Sequence, residues 1–324
     1  MKNSETRLKC TNTEIQVSCP VPRRLSEEEL NKLSVDQICL SEFKQQKLEA
    51  EAQKNWDLFY KRNTTKFFKD RHWTKREFED LPNHNQHETK VLFEVGCGVG
   101  NFMFPLLEED KHLYFYACDF SPRAVEFVKS HPAYDICGCT AFQCDITKDD
   151  ITKSVPESSV HIATLIFVLS AIHPEKMVEA VHNVAKTLKP GGLLLVRDYG
   201  LYDHAMLRFS KGHKLGECFY VRQDGTRAYY FSLEKLNSIM EIAGLKTVTS
   251  VYIQRSTVNK KEGLNVPRIF VQGKFMKTPP EDTSAEESVM SGAGDDSDNS
   301  KTFEKLISSL NNVSLDPPGE RDTS

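Results

Sequence analysis

The sequence predicts an α/β, Rossmann-like fold: a doubly wound sheet with an N-terminal helical extension and an inserted hairpin region. Three observations predict it. Apolar, β-rich runs alternate with helical patterns from residue 91 to 275. The run Val91-Leu92-Phe93-Glu94-Val95 stops at Gly96, Gly98 and Gly100, spaced G-x-G-x-G, and 102–107 then reads as a helix. Acids close the next two apolar runs: Asp119, 19 residues after Gly100, and Asp145.

Each element has its own warrant. Residues 1–25 are polar and end in Pro20-Val21-Pro22-Arg23-Arg24, so disorder is expected. Ser26-Glu27-Glu28-Glu29 is a capping-box start for a helix. Residues 41–62 are mostly strong helix formers and read as one longer helix, with Trp56 and Tyr60 four residues apart on one face. That face either packs on the core or covers a ligand pocket.

In the α/β part, strand 91–95 leads to helix 101–109. Strand 113–118 leads to helix 122–130, with Ser121 as N-cap and Pro122 as first helical residue. Strand 139–144 follows. Residues 159–168 are nearly continuous apolar residues, as expected of a buried central strand. Helix 175–188 stops at Lys189-Pro190-Gly191-Gly192, and strand 193–197 delivers Asp198-Tyr199-Gly200 to the carboxyl edge of the sheet. Residues 201–231 break the alternation, with Gln223-Asp224-Gly225-Thr226 as a hairpin turn. Helix 233–243 and strands near 247–255 and 268–275 complete the sheet. The division is therefore 1–25 disordered, 26–89 helical extension, 90–276 α/β domain with insert 201–231, and 277–324 a disordered acidic tail. Phe303 to Leu310 has weak helical spacing, which fits a docking segment less well than a solvated tail.

Composition narrows the function. The chain carries −4 overall, yet residues 277–324 hold 4 Lys/Arg against 11 Asp/Glu, so the remaining 276 residues carry +3. A mildly basic globular part suits a polyanionic partner. Residues 54–76 concentrate that charge: eight Lys/Arg against two Asp, interleaved with Trp56, Phe59, Tyr60, Phe67, Phe68 and Trp73. Phosphates take the charge and unstacked bases take the flat rings, so the stretch reads equally as an RNA surface or as an amphipathic helix with a solvated basic face. The nine cysteines contain no C-x-x-C, so Cys137, Cys139 and Cys144 are read as reduced thiols, no metal is expected, and the compartment is reducing. No run reaches transmembrane length and no leader pattern opens the chain. The expectation is a soluble, cytoplasmic or also nuclear protein with no membrane partner, acting as a monomer.

Gly96 permits the sharp turn, and Gly98 and Gly100 let a ligand approach backbone N–H groups at a helix start. An acid after the second strand is where nucleotide ribose hydroxyls bind, and an acid after the third can meet the base. That layout is the one used by S-adenosylmethionine-dependent methyltransferases. Alternatives are an NAD-dependent oxidoreductase and a catalytically silent RNA-binding protein of the same fold. The glycine spacing, the second acid and the lack of room for a substrate domain argue against the first. The intact glycines and Asp119 argue against the second.

The segments EVGCGVGN, ACDFSPRA, FQCDIT, LIFVLSAIHP, LKPGG, RDYGLYDHAMLRF, FYVRQDGTR and the N-terminal QKNWDLFYKRN…FFKDRHW closely resemble the tRNA 3-methylcytidine (tRNA N(3)-cytidine) methyltransferases over about residues 40–276. The resemblance implies a seven-stranded class I S-adenosylmethionine-dependent fold and methyl transfer to N3 of cytidine 32 in the tRNA anticodon loop. It also implies serine tRNAs as substrates and seryl-tRNA synthetase as a partner. Under this reading Gly96 and Gly98 face the methionine end of the cofactor, Asp119 its ribose and Asp145 its adenine. Ile166 packs under it, and Trp56 and Tyr60 close over it. Asp198, beside Tyr199, is the candidate for offsetting charge on the methylated base, with Asp203 as the substitute. Lys61, Arg62, Lys66, Lys69, Arg71, Arg222 and Arg227 are expected to hold the tRNA backbone.

Overall fold

Helical and strand periodicities partition as expected in the computed structural model, which describes residues 16–35, 38–67, 70–71, 77–81, 89–135, 138–259 and 264–279. The readings placed on Phe68, Lys69, Trp73, Cys137, residues 1–15 and residues 280–324 lie outside the described residues.

The strands are β1 (Gln16–Cys19), β2 (Lys90–Val95), β3 (Leu113–Asp119), β4 (Cys139–Gln143), β5 (Val160–Ile166), β6 (Leu188–Tyr199), β7 (Lys214–Gly216), β8 (Phe219–Val221), β9 (Arg227–Tyr229), β10 (Leu245–Asn259) and β11 (Leu264–Lys277). Eight of them form one sheet in the order β1-β10-β11-β6-β5-β2-β3-β4, and β7-β8-β9 form a small second sheet. Strands β2 to β6 are parallel to their neighbours among themselves, whereas β11 runs antiparallel to both β6 and β10. The order reverses at β2, between β3 and β5. A crevice must open there at the carboxyl ends of the strands, and it is where doubly wound folds place their ligands.

The described helices are α1 (Glu27–Val35), α2 (Glu42–Ala50), α3 (Ala52–Asn63), α4 (Met103–Glu109), α5 (Pro122–Lys129), α6 (Met177–Thr187), α7 (His204–Leu207) and α8 (Leu233–Ile242). Alternating strand residues face two apolar layers. Phe93, Val95 and Leu165 pack with α6 and α8 residues such as Val181 and Leu236. Leu92 and Phe115 pack with Met103, Leu106 and Val125 from α4 and α5. The caps read from sequence are present. Ser26 Oγ accepts from Glu29 N at 3.3 Å while Glu29 Oε2 accepts from Ser26 N at 3.0 Å. Ser121 caps α5 by accepting from Ala124 N at 3.3 Å.

The last two strands run longer than expected, to Leu245–Asn259 and Leu264–Lys277, and four other boundaries differ for a visible reason. Residues 16–25 are not a loose tail: β1 adds antiparallel to the β10 edge, and Arg23 donates to the Tyr202 carbonyl at 2.9 Å. The long helix over 41–62 is two helices, broken at Glu51, whose backbone sits at φ −94° and ψ 6°. Strand β5 ends early because Phe167 takes a left-handed φ of 61°. Strand β6 starts at Leu188 because the Lys189–Gly192 stop is absorbed as an irregular entry opposite Val160.

Candidate active site

The crevice is a cavity of roughly 340 Å³ roofed by α2 and α3. Gly96, Asp119 and Asp145 supply its floor, and Trp56 and Tyr60 its roof. Gly96 has φ 66°, and a Cβ there would meet Val168 Cγ2 at 2.4 Å, so the turn tolerates only glycine. Asp119 is held by two backbone donors, Gly98 N on Oδ2 at 2.9 Å and Ser121 N on Oδ1 at 2.8 Å. Burial pushes its pKa up to about 6, against the pull of those N–H groups. Asp145 Oδ1 accepts from Thr147 N and Oγ1 at 3.1 and 2.7 Å, and Oδ2 pairs with Lys148 at 3.0 Å.

The roof is fixed by aromatic packing. Trp56, Phe59 and Tyr60 form edge-on and tilted pairs with ring centroids 5.3 to 6.3 Å apart. Phe59 and Tyr60 are buried against Val99 and Ala124. Burying each such ring contributes about 1.5–3 kcal/mol, enough to hold a helix whose remaining surface is polar.

Two expected cofactor residues sit elsewhere. Gly98 does not line the cavity. Its N–H is spent on Asp119, and a Cβ there would come 3.0 Å from the Tyr60 hydroxyl, so its bareness seats Tyr60. Ile166 is buried among Leu92, Phe115 and Ala141, and the positive φ of Phe167 turns Phe167 and Val168 into the cavity wall instead. Sequence reasoning also missed Glu49. From α2 it pairs with Lys176 and with Arg227, and all three line the mouth. Burial raises the Glu49 pKa, but the two cations outweigh it and the net shift is downward. No local sequence signal marks Glu49, because its partners lie 127 and 178 residues away.

The expected substrate residues split by exposure. Lys61, Arg62 and Lys66 are exposed. Arg71 turns inward: its guanidinium donates to the Ile166 carbonyl at 3.3 Å and lies 5.6 Å from the Phe167 ring centre. Arg227 is buried on Glu49 and the Ala171 carbonyl. Arg222 is half-buried, 5.4 Å over the Tyr199 ring, with its guanidinium donating to the Arg227 carbonyl at 2.8 Å. Asp198 is not at an open edge. It is fully buried, accepting from Ser170 N at 2.9 Å and Tyr199 N at 2.8 Å, and burial pushes its pKa up to about 6. Tyr199, half-buried, packs against Phe167 at 5.2 Å and Tyr230 at 5.7 Å. Asp203 is committed to structure: it caps α7 and accepts from Arg268 Nε and Ile269 N at 2.9 and 2.8 Å.

The cavity suits S-adenosylmethionine. It combines carboxylates for hydroxyl and amine donors with aromatic walls that favour a sulfonium cation. Beside it in sequence, Glu94 is 3% exposed, and its Oε2 has no hydrogen-bond partner among the described residues, an acceptor left for an ammonium group.

Comparison with known proteins agrees. A methyltransferase-domain profile matches residues 93–194. The solved structure of a SAM-dependent methyltransferase from Anabaena variabilis shares the fold at a TM-score of 0.52 and 12% identity, covering 69% of this chain and 94% of that one. Fold and site together define a class I S-adenosylmethionine-dependent methyltransferase. The chain is 60% identical over 272 residues to tRNA N(3)-cytidine methyltransferase METTL6 of Rattus norvegicus, covering 83% of this chain and 94% of that relative. It is 42% identical over 241 residues to tRNA N(3)-methylcytidine methyltransferase trm141 of Schizosaccharomyces pombe, covering 74% and 97%. It belongs to the tRNA N(3)-cytidine methyltransferase family.

Proposed function

We propose that this enzyme methylates N3 of cytidine 32 in the anticodon loop of serine tRNAs, using S-adenosylmethionine. The observation that carries the reading is the identity of 60% over 272 residues to a tRNA N(3)-cytidine methyltransferase, joined to a cavity of matching chemistry.

The donor supplies an electrophilic methyl group on a sulfonium. Cytosine N3 keeps a free lone pair at neutral pH, so the protein needs no strong base and mainly has to align the two reactants. Asp119 is assigned to the ribose and Asp145 to the adenine, with Gly96 at the methionine end. Trp56 and Tyr60 exclude water from above. Methylation leaves positive charge on the base. The Asp198 carboxylate, buried and held by Ser170 N and Tyr199 N, offsets that charge in a medium where Coulomb terms are poorly screened. Lys61, Arg62 and Lys66 offer the exposed cations for the RNA backbone. A single-stranded loop makes base extrusion inexpensive. Seryl-tRNA synthetase is the proposed partner, and the enzyme is assigned to the cytoplasm and nucleus.

The test is to incubate the pure protein with methyl-labelled cofactor and total tRNA, with and without seryl-tRNA synthetase, and to map the modified base. Label at N3 of cytidine 32 in serine isoacceptors, increased by the synthetase, is expected. Label at another position, or in other isoacceptors alone, overturns the assignment.

A further inference from the structure

The roof helix is wired to the floor of the cavity by one carboxylate. Asp57 lies on α3, one residue after Trp56. Its Oδ1 accepts from Ser121 Oγ at 2.9 Å and from Arg123 N at 3.2 Å. Its Oδ2 accepts from Arg123 Nη2 and Nε at 3.2 and 3.3 Å. Ser121 N in turn donates to Asp119 Oδ1 at 2.8 Å, and the other Asp119 oxygen takes Gly98 N at 2.9 Å. A continuous chain therefore runs from α3 through Ser121 and Asp119 to the glycine turn. Four residues before Asp57 on α3, Gln53 Nε2 donates to the Phe120 carbonyl at 3.0 Å, so the same face holds the same loop a second time.

We propose that Asp57 is a positioning residue for the methyl donor, holding the Asp119 loop and the Trp56–Tyr60 roof at one fixed separation. The physical case is threefold. Arg123 N is a first-turn donor of α5 with no partner inside its own helix, and an anion there is favoured by the helix dipole. Burial pushes the Asp57 pKa up, but Ser121 and Arg123 outweigh it and leave a net lowering, so the group is ionised at neutral pH. Asp119 lacks any side-chain cation among the described contacts, so its orientation depends on backbone N–H groups, and Asp57 holds one of these through Ser121. Asp57 itself does not line the cavity, so its effect reaches the ligand only through its partners.

This inference rests on the assignment of Asp119 to the methyl donor, and the experiment separates the two. Asp57→Ala, Asp57→Asn, Gln53→Ala and Asp119→Ala are titrated calorimetrically with S-adenosylhomocysteine, which requires no tRNA, and then assayed for turnover. Asp57→Ala should weaken binding about tenfold or more, the loss expected of one charge-assisted network. The KM for the donor should rise in step, while kcat at saturating donor and the KM for tRNA stay within about twofold. Asp57→Asn keeps an acceptor for Ser121 Oγ and Arg123 N and should recover most of the affinity. It also tests the proposal if the alanine variant fails to fold, since it should still bind more weakly than the parent. A fall in kcat together with a raised KM for tRNA, or unchanged affinity in Asp57→Ala beside a crippled Asp119→Ala, overturns the proposal. Unchanged affinity in Asp119→Ala overturns both the proposal and the site reading beneath it.

Discussion

Glu94 shows how a single buried side chain makes the stability of the fold pH-sensitive. Burial raises its pKa from 4.5 to about 8, and Arg71 opposes that rise without cancelling it. The folded chain therefore holds a proton that the unfolded chain has already lost. Stability from this group is complete below 4.5 and is lost as pH rises toward about 8. Asp119 and Asp198, each near 6, titrate in the same direction but are mostly ionised above that value, so Glu94 dominates the upper part of the window. Thermal unfolding of the protein alone should show a Tm that falls between about pH 6 and pH 8 and levels off above, and Glu94→Gln should flatten the fall. An unchanged slope would assign the titration elsewhere. Asp198 gives a second prediction: Asp198→Asn should lower the single-turnover rate by about 10²–10³ with donor affinity unaffected. The parent rate should drop as pH falls through about 6, where the carboxylate takes up its proton. Asp119, Asp145 and Gly96 were legible as cavity-lining residues because each follows a recognisable strand. The inward turn of Arg71 and Arg227 was not, because it depends on acids and carbonyls distant in sequence.

At the scale of elements, the strands and helices of the sheet followed their periodicity, and misreadings arose where long-range contacts overrode local preference. Residues 46–54 are nearly all strong helix formers, so nothing in them announces a break at Glu51. The break lets α2 carry Glu49 to Lys176 and Arg227 while α3 packs its rings on Val99 and Ala124. Strand β1 was missed because a four-residue edge strand paired to β10 has no pattern of its own. The glycine turn can be tested as an element. Gly96→Ala places a Cβ 2.4 Å from Val168 Cγ2 in a left-handed backbone. The backbone penalty and the overpacking together should destabilise the fold by about 2–4 kcal/mol in urea unfolding. Adding Val168→Ala should recover the steric share and leave the backbone share, so the pair should be strongly non-additive. Additive losses would place the penalty in the turn alone.

For the whole molecule, the question is where the RNA's charge is met. The chain is acidic overall at −4, so attraction to tRNA must come from local placement rather than net charge. The structure sorts the basic residues into two groups. Lys61, Arg62 and Lys66 lie exposed at the end of α3 and just beyond it, with Phe67 exposed beside them. Arg227 is buried in an ion pair with Glu49, and so has already exchanged water for a carboxylate. Of these described residues, the exposed group is the one placed to displace counterions from a phosphate backbone. Replacing Lys61, Arg62 and Lys66 singly with Gln should each reduce the slope of log affinity against log salt by about 0.7–0.9, with weakening that is uniform across tRNA sequences. Arg227→Gln should leave that slope unchanged and instead raise the KM for the methyl donor, because it releases the Glu49 contact that holds α2 over the cavity mouth. The measurement is tRNA binding by filter retention or fluorescence anisotropy across a salt series, paired with donor KM for each variant. A slope change in Arg227→Gln equal to that of Lys61→Gln would put this residue on the RNA after all, and would mean that α2 lifts away when the tRNA arrives.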